Sequence, residues 1–249
     1  MNTPLIEGCV ASVPSAAAAC RAGADRLELS SNLAIGGTTA SAILFRQVQK
    51  ISTAKINALI RPRFGDFLYS EDELEEMEDA VKTFRDLGAN GVVFGVLTPD
   101  GRLDVDHMGR LMDCAGDMEV TLHRAFDLTR DPFEALEAAI SLGCRTILTS
   151  GQAPTAMEGA DLLAELVRRA AGRIDIMVGC GVRADNIAVL HEKTGTRVFH
   201  TSCRSISDSG MTYRKEGVPM GLPFLSEYEV WGTDEAAFRT CADIVHALR

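Results

Sequence analysis

No apolar run in this chain of 249 residues approaches the ~20 residues with which a helix crosses a bilayer. The stretch Met1 to Val10 also lacks a basic region followed by a long apolar one, so no secretory leader is expected and a cytoplasmic location is. Positive charge is in short supply. Lys and Arg number 25 against 35 Asp and Glu, a formal net charge of −10. Without a basic footprint, neither nucleic acid nor an anionic membrane is expected as a partner. Close cysteine pairs are missing too. Cys9, Cys20, Cys114, Cys144, Cys180, Cys203 and Cys241 are odd in number and widely spaced, with no C-x-x-C. That excludes the disulfide framework of a small secreted domain and leaves reduced thiols as the simplest state. Finally, no G-x-G-x-x-G follows the first apolar segment. An open dinucleotide-binding sheet therefore loses its main support.

What is present is a repeat. RAGADRLEL (21–29), DLGANGVVF (86–94), SLGCRTILT (141–149) and KTGTRVFHT (193–201) each carry a Gly, one or two small or polar residues, and then an apolar run. Gly adopts the left-handed conformation that ends helices, so Gly23, Gly88, Gly143 and Gly195 mark four helix-to-strand junctions. Four more apolar runs lie between them, at Leu5–Val10, Ile56–Ile60, Met118–His123 and Ile174–Gly179. Each of the eight is followed by a helical pattern. Pro14 and Pro132 stand at first-turn positions. Ser70 and Glu73 form a capping box ahead of Leu74, Met77, Val81, Phe84 and Leu87 at helical spacing. Short apolar strands alternating with helices imply a parallel sheet buried on both faces, and eight units close best as a (β/α)8 barrel. A single α/β domain over 1–249 is expected. A long loop, 202–232, holds Met211, Tyr213, Met220, Phe224, Tyr228 and Trp231 before the last helix. So much apolar surface predicts a packed loop, over the barrel mouth or against a partner subunit.

Both faces of a barrel strand should be apolar, so polar residues of one parity near a strand's carboxyl end point to the active face. Glu7 with Cys9, Glu28 with Ser30, Asn57 with Arg61 and then Arg63, Thr121 with His123 and then Arg124 and Asp127, and His200 with Ser202 all show this. Two readings stay open. In one, Arg61 and Arg63 neutralise Glu7 and Glu28 as a salt-bridged plug. In the other they grip a small anionic substrate, phosphorylated or sugar-like, while Glu28, His123, Asp127 or His200 moves protons. Gly179 and Gly181 in VGCGVRADN, with Ser150 after the sixth strand, would then supply anion-binding turns. A divalent ion on Glu7, Glu28 and His123 is a variant of this reading. Cys9, Cys180 and Cys203 fall near strand ends, whereas Cys20 and Cys241 fall on apolar helix faces, where cysteine serves as a small hydrophobe.

The stretches GADRLELSSNLAIGGTT, IRPRFGDFLYS, GVLTPDGRLDV, TLHRAFD, ILTSG, VGCGVRADN and MTYRKEGVPMG resemble the CutC family over nearly the whole chain. The resemblance implies a cytoplasmic (β/α)8 barrel, usually a homo-oligomer (dimer or tetramer), with a role in copper homeostasis. It implies Cu(I) as the bound ion and a cysteine ligand at Cys9; Glu7, on the same strand face, is a metal candidate from the residue pattern itself. The family's E-L-C at the end of the second strand reads E-L-S here. With Ser30 in place of that thiol, no tight Cu(I) site is expected at this strand end.

Overall fold

The computed structural model describes residues 3–222 and 225–248. Phe224, one of the apolar residues of the long loop, lies outside the described residues. The eight expected strands are all formed. They are β1 (Leu5–Val10), β2 (Arg26–Leu29), β3 (Lys55–Leu59), β4 (Gly91–Phe94), β5 (Glu119–Leu122), β6 (Thr146–Thr149), β7 (Asp175–Val178) and β8 (Val198–Thr201). Each pairs in parallel with the next, and β8 pairs with β1 to close the barrel. The helices are α1 (Val13–Arg21), α2 (Ala42–Gln49), α3 (Glu71–Asp86), α4 (Val105–Ala115), α5 (Pro132–Leu142), α6 (Ala160–Ala170), α7 (Ile187–Thr194) and α8 (Glu235–His246).

The junctions form for the reasons their sequences suggest. Gly143 and Gly195 cap α5 and α7 at φ 84° and 74°. Gly23 and Gly88 take positive φ one residue beyond the caps of α1 and α3. Both hydrogen bonds of the Ser70–Glu73 capping box are made at the start of α3. Leu74, Met77, Val81 and Phe84 on that helix are buried. The main core lies between the helices and the outward strand faces, and a smaller cluster of Leu148, Met177 and Val198, with Leu5 against it, occupies part of the lumen.

The long excursion differs from the expected packed loop. It contains two strands, β9 (Arg204–Asp208) and β10 (Glu229–Thr233), paired antiparallel with Trp231 opposite Ile206. Trp231 is half-buried and stacks under the Arg204 guanidinium, 4.4 Å from its ring centre. Beyond this base Tyr228 is half-buried, whereas Met211, Tyr213, Val218 and Met220 stay in solvent, Met220 at 81% exposure and Tyr213 at 70%. A two-stranded ribbon has too little surface to bury its own side chains.

Candidate metal centre

The barrel register places the polar residues. Glu7 on β1 lies beside Arg26 of β2 and His200 of β8. Two residues further along β1, Cys9 lies beside Glu28, and Glu28 beside Asn57 of β3. Residues two apart on a strand share a face, so Glu7 and Cys9, Arg26 and Glu28 stack as two layers in the lumen.

In the first layer Glu7 is completely buried and held by two cations. Arg26 donates through Nε to one carboxylate oxygen, and His200 Nδ1 lies 2.7 Å from the other. Burial alone would raise the pKa of Glu7, but Arg26 and His200 outweigh it and hold the group at about 2. Burial opposes a charge on His200, yet the facing Glu28, Cys9 and Glu7 keep its pKa well above the ordinary imidazole range. The hydrogen bond to Glu7 occupies Nδ1, so Nε2, which faces Cys9, is the nitrogen that would take a ligand once its proton is displaced.

In the second layer the Cys9 thiol donates to Glu28 Oε1 at 3.5 Å. Burial, and then the charge of Glu28, pushes Cys9 up to about 11, so it is a neutral thiol until a cation displaces its proton. Burial likewise raises Glu28. Among the described residues the buried Oε2 atom of Glu28 has no hydrogen-bond partner. Ligand atoms of Cys9, Glu28 and His200 all lie within 4.8 Å of one another. They line a cavity of about 1100 Å³, to which Arg61 and His123 also contribute.

The other residues singled out from the sequence are dispersed. Arg61 lines the cavity, but its guanidinium donates to the carbonyls of Gly36, Gly37 and Gly65 at 3.1, 3.1 and 2.8 Å. It also sits 5.0 Å from the Phe67 ring centre. It ties the segment after β2 to the segment after β3 and does not meet Glu7 or Glu28. Arg63 is not among the residues lining this cavity. It pairs with Glu73 at 2.6 Å and Asp66 at 3.1 Å, and donates to the Leu68 carbonyl. Extended spacing would have put both arginines on one side, but β3 ends at Leu59 and the backbone beyond it turns.

Asp127 is saturated. It accepts from Thr149 Oγ1, from the amides of Ser150 and Gln152, and from Arg124 Nε at 2.7 Å. Ser150 Oγ is 2.6 Å from the Ala153 carbonyl and accepts from Arg124. These two residues fasten the turns after β5 and β6 together. His123 is buried, packed on Phe67, and accepts from the Ala125 amide through Nδ1. Burial, and then the charge of Arg61, depresses it to about 3, so it stays neutral. Its Nε2 has no hydrogen-bond partner among the described residues. Gly181 lines the cavity at φ 77°. Gly179 serves packing, since a Cβ there would come within 2.6 Å of Leu148 Cδ1.

Sequence reasoning missed Arg26, the cation that actually neutralises Glu7. The signal was present: Arg26 shares a parity with Glu28 in a strand of four residues, all buried. An arginine there needs an anion in the lumen.

The family model described as the CutC family matches residues 4–205. A CutC family protein of Parabacteroides distasonis is 50% identical over 232 residues, covering 92% of this chain and 96% of its own length. A human protein named copper homeostasis protein cutC homolog is 44% identical, covering 96% of this chain and 88% of its own length. Among solved structures, a CutC protein of Streptococcus agalactiae superimposes with a TM-score of 0.77 at 29% identity, over 80% of this chain and 99% of that one.

Proposed function

Since this chain belongs to the CutC family, we propose that it binds a copper ion at Cys9, Glu28 and His200 and serves intracellular copper handling. The observation that carries the reading is the convergence of a thiol, a carboxylate and an imidazole within 4.8 Å in one cavity. Thiolate is a soft ligand that suits Cu(I), and imidazole suits copper in general. The buried Glu28 Oε2 atom without a partner is a further donor with nothing else to satisfy it. Behind the set stands the Glu7–His200 hydrogen bond. A carboxylate of this kind orients a metal-binding imidazole and raises its basicity. Glu7, which the sequence offered as a ligand, thus acts through His200. The ion is cargo in this reading. Its loading displaces two protons to solvent, the thiol proton of Cys9 and the Nε2 proton of His200, and the buried Glu7–Arg26 pair forms the floor of the site.

The parts required for acid–base chemistry on a small anion do not support that alternative. His123 is held neutral, Asp127 is saturated with donors, and Arg63 is engaged outside the cavity. Competition of the purified protein against a chromogenic Cu(I) chelator tests the copper reading. Cys9→Ala and His200→Ala should each weaken binding at this site by at least about tenfold, the lower bound for loss of even an outer-shell partner. Affinity unchanged in both variants would refute it.

A further inference from the structure

We infer that Cys203 and Cys241 form a second, all-thiolate Cu(I) site in the same cavity. Their sulfurs are 3.8 Å apart, although the residues are 38 positions apart in sequence. Both line the cavity that contains Cys9. Metal–sulfur bonds of about 2.3 Å to two sulfurs 3.8 Å apart would subtend about 110° at the ion. That angle suits two of the three positions of a trigonal centre, with the third open to the cavity that both cysteines line. Two thiolates, with the neutral Thr201 hydroxyl 3.4 Å from the Cys203 sulfur and no carboxylate or imidazole in the set, favour Cu(I) more sharply than the mixed set at Cys9 does.

The pair is held in place by more than packing. Cys203 follows β8 with φ at 38°, a left-handed conformation that non-glycine residues rarely adopt. Such strain persists where the surrounding structure enforces it, and it gathers at functional sites. The enforcing contact is visible. The Asp234 amide donates to the Cys203 carbonyl at 2.8 Å, and the Asp234 side chain caps α8, the helix that carries Cys241. One residue therefore fixes both cysteines relative to each other. Cys241 lies on an apolar helix face, where the sequence alone makes it a core hydrophobe. Only the turn after β8 brings a second sulfur to it. Binding would exchange the two thiol protons, released to solvent, for one Cu(I), with no change of oxidation state.

The test uses the full chain carrying Cys9→Ala, so that its result is independent of the first site. Under anaerobic, reducing conditions this variant is titrated with Cu(I) against the chelator, and the ultraviolet thiolate-to-copper absorption is followed. We expect one equivalent to bind with that absorption. Adding Cys203→Ser, or Cys241→Ala, should abolish the absorption, whereas adding Cys114→Ser should leave it intact. Alkylation of the unsubstituted protein, read by peptide mass spectrometry, supplies a second measure that does not depend on how the variants fold. Cu(I) loading should protect Cys203 and Cys241. The inference is overturned if the absorption survives loss of either cysteine, or if both thiols are alkylated equally with and without Cu(I).

Discussion

Glu7 and Arg26 are buried to 0% and 3% exposure and pair with each other, Glu7 also with His200 at 2.7 Å and Arg26 also with Glu119 at 3.8 Å. Removing one member of such a pair leaves an uncompensated ion in the core and costs about 3–5 kcal/mol. Glu7→Gln should lower stability by that amount in urea unfolding and loosen the orientation of His200. A loss below about 1 kcal/mol, the range of an exposed pair, would show that Glu119, 3.8 Å from Arg26, is sufficient as its anion. Ser30 offers the opposite case. Its hydroxyl is fully buried with no hydrogen-bond partner among the described residues, so it carries a desolvation cost with no return. Ser30→Ala should be neutral or stabilising by about 1 kcal/mol and should leave copper affinity unchanged. Tight one-to-one Cu(I) binding that vanished in Ser30→Ala would mean the end of β2 is the site after all.

At the scale of elements, the carboxyl ends of the strands are tied to one another by single side chains. Arg61 joins the turns after β2 and β3, and Asp127 joins those after β5 and β6. Asp127→Ala would leave the Ser150 and Gln152 amides and Thr149 Oγ1 without their acceptor. Each unmet buried group costs about 1–3 kcal/mol. We expect a fall of several kcal/mol together with faster amide exchange confined to residues 149–153. If uptake of copper fell while stability and exchange held, Asp127 would instead be part of the site. The turn after β6 has a second constraint at Gly159, where a Cβ would come within 2.0 Å of the Ser150 carbonyl oxygen. Gly159→Ala should therefore destabilise the protein much more than Ser70→Ala at the start of α3. The latter loses one cap worth about 1 kcal/mol.

For the whole molecule, the barrel is self-sufficient and the ribbon of β9 and β10 is not. Met211, Tyr213, Val218, Met220 and Val230 are each at least half exposed along one excursion. A cluster of this kind is more than the scattered apolar residues usual on a monomer's surface. Each chain carries a formal charge of −10, so self-association has to overcome repulsion, and apolar contact is what can do so. We expect light scattering after size exclusion to give a dimer or a tetramer, and Met220→Asp combined with Met211→Asp to shift it towards monomer. A monomeric parent chain at micromolar concentration would rule out this use of the ribbon. No helix among the described residues is long and apolar enough to cross a membrane.

The barrel and its joints were legible in the sequence because the information is local. A glycine that ends a helix, a capping box, and a short apolar run each act within a few residues, and eight repetitions leave few ways to close the sheet. The strand ends in the structure fall within a residue or two of the runs at Leu5–Val10, Ile56–Ile60, Met118–His123 and Ile174–Gly179. The lumen-facing parity of Glu7, Cys9, Glu28 and His200 was legible for the same reason. Which charge meets which was not. Arg61 and Arg63 stand beyond the end of β3, where period-two reasoning stops, and the chain's turn sends one to carbonyl oxygens and the other to Glu73. The partner of Glu7 is set by the shear of the closed barrel, which places Arg26 on one side of it and His200, 193 residues away in sequence, on the other. The meeting of Cys203 with Cys241 likewise depends on where the last helix docks. Local sequence determined the elements and their inward faces; closure of the barrel, a property of the whole chain, decided the neighbours and with them the chemistry.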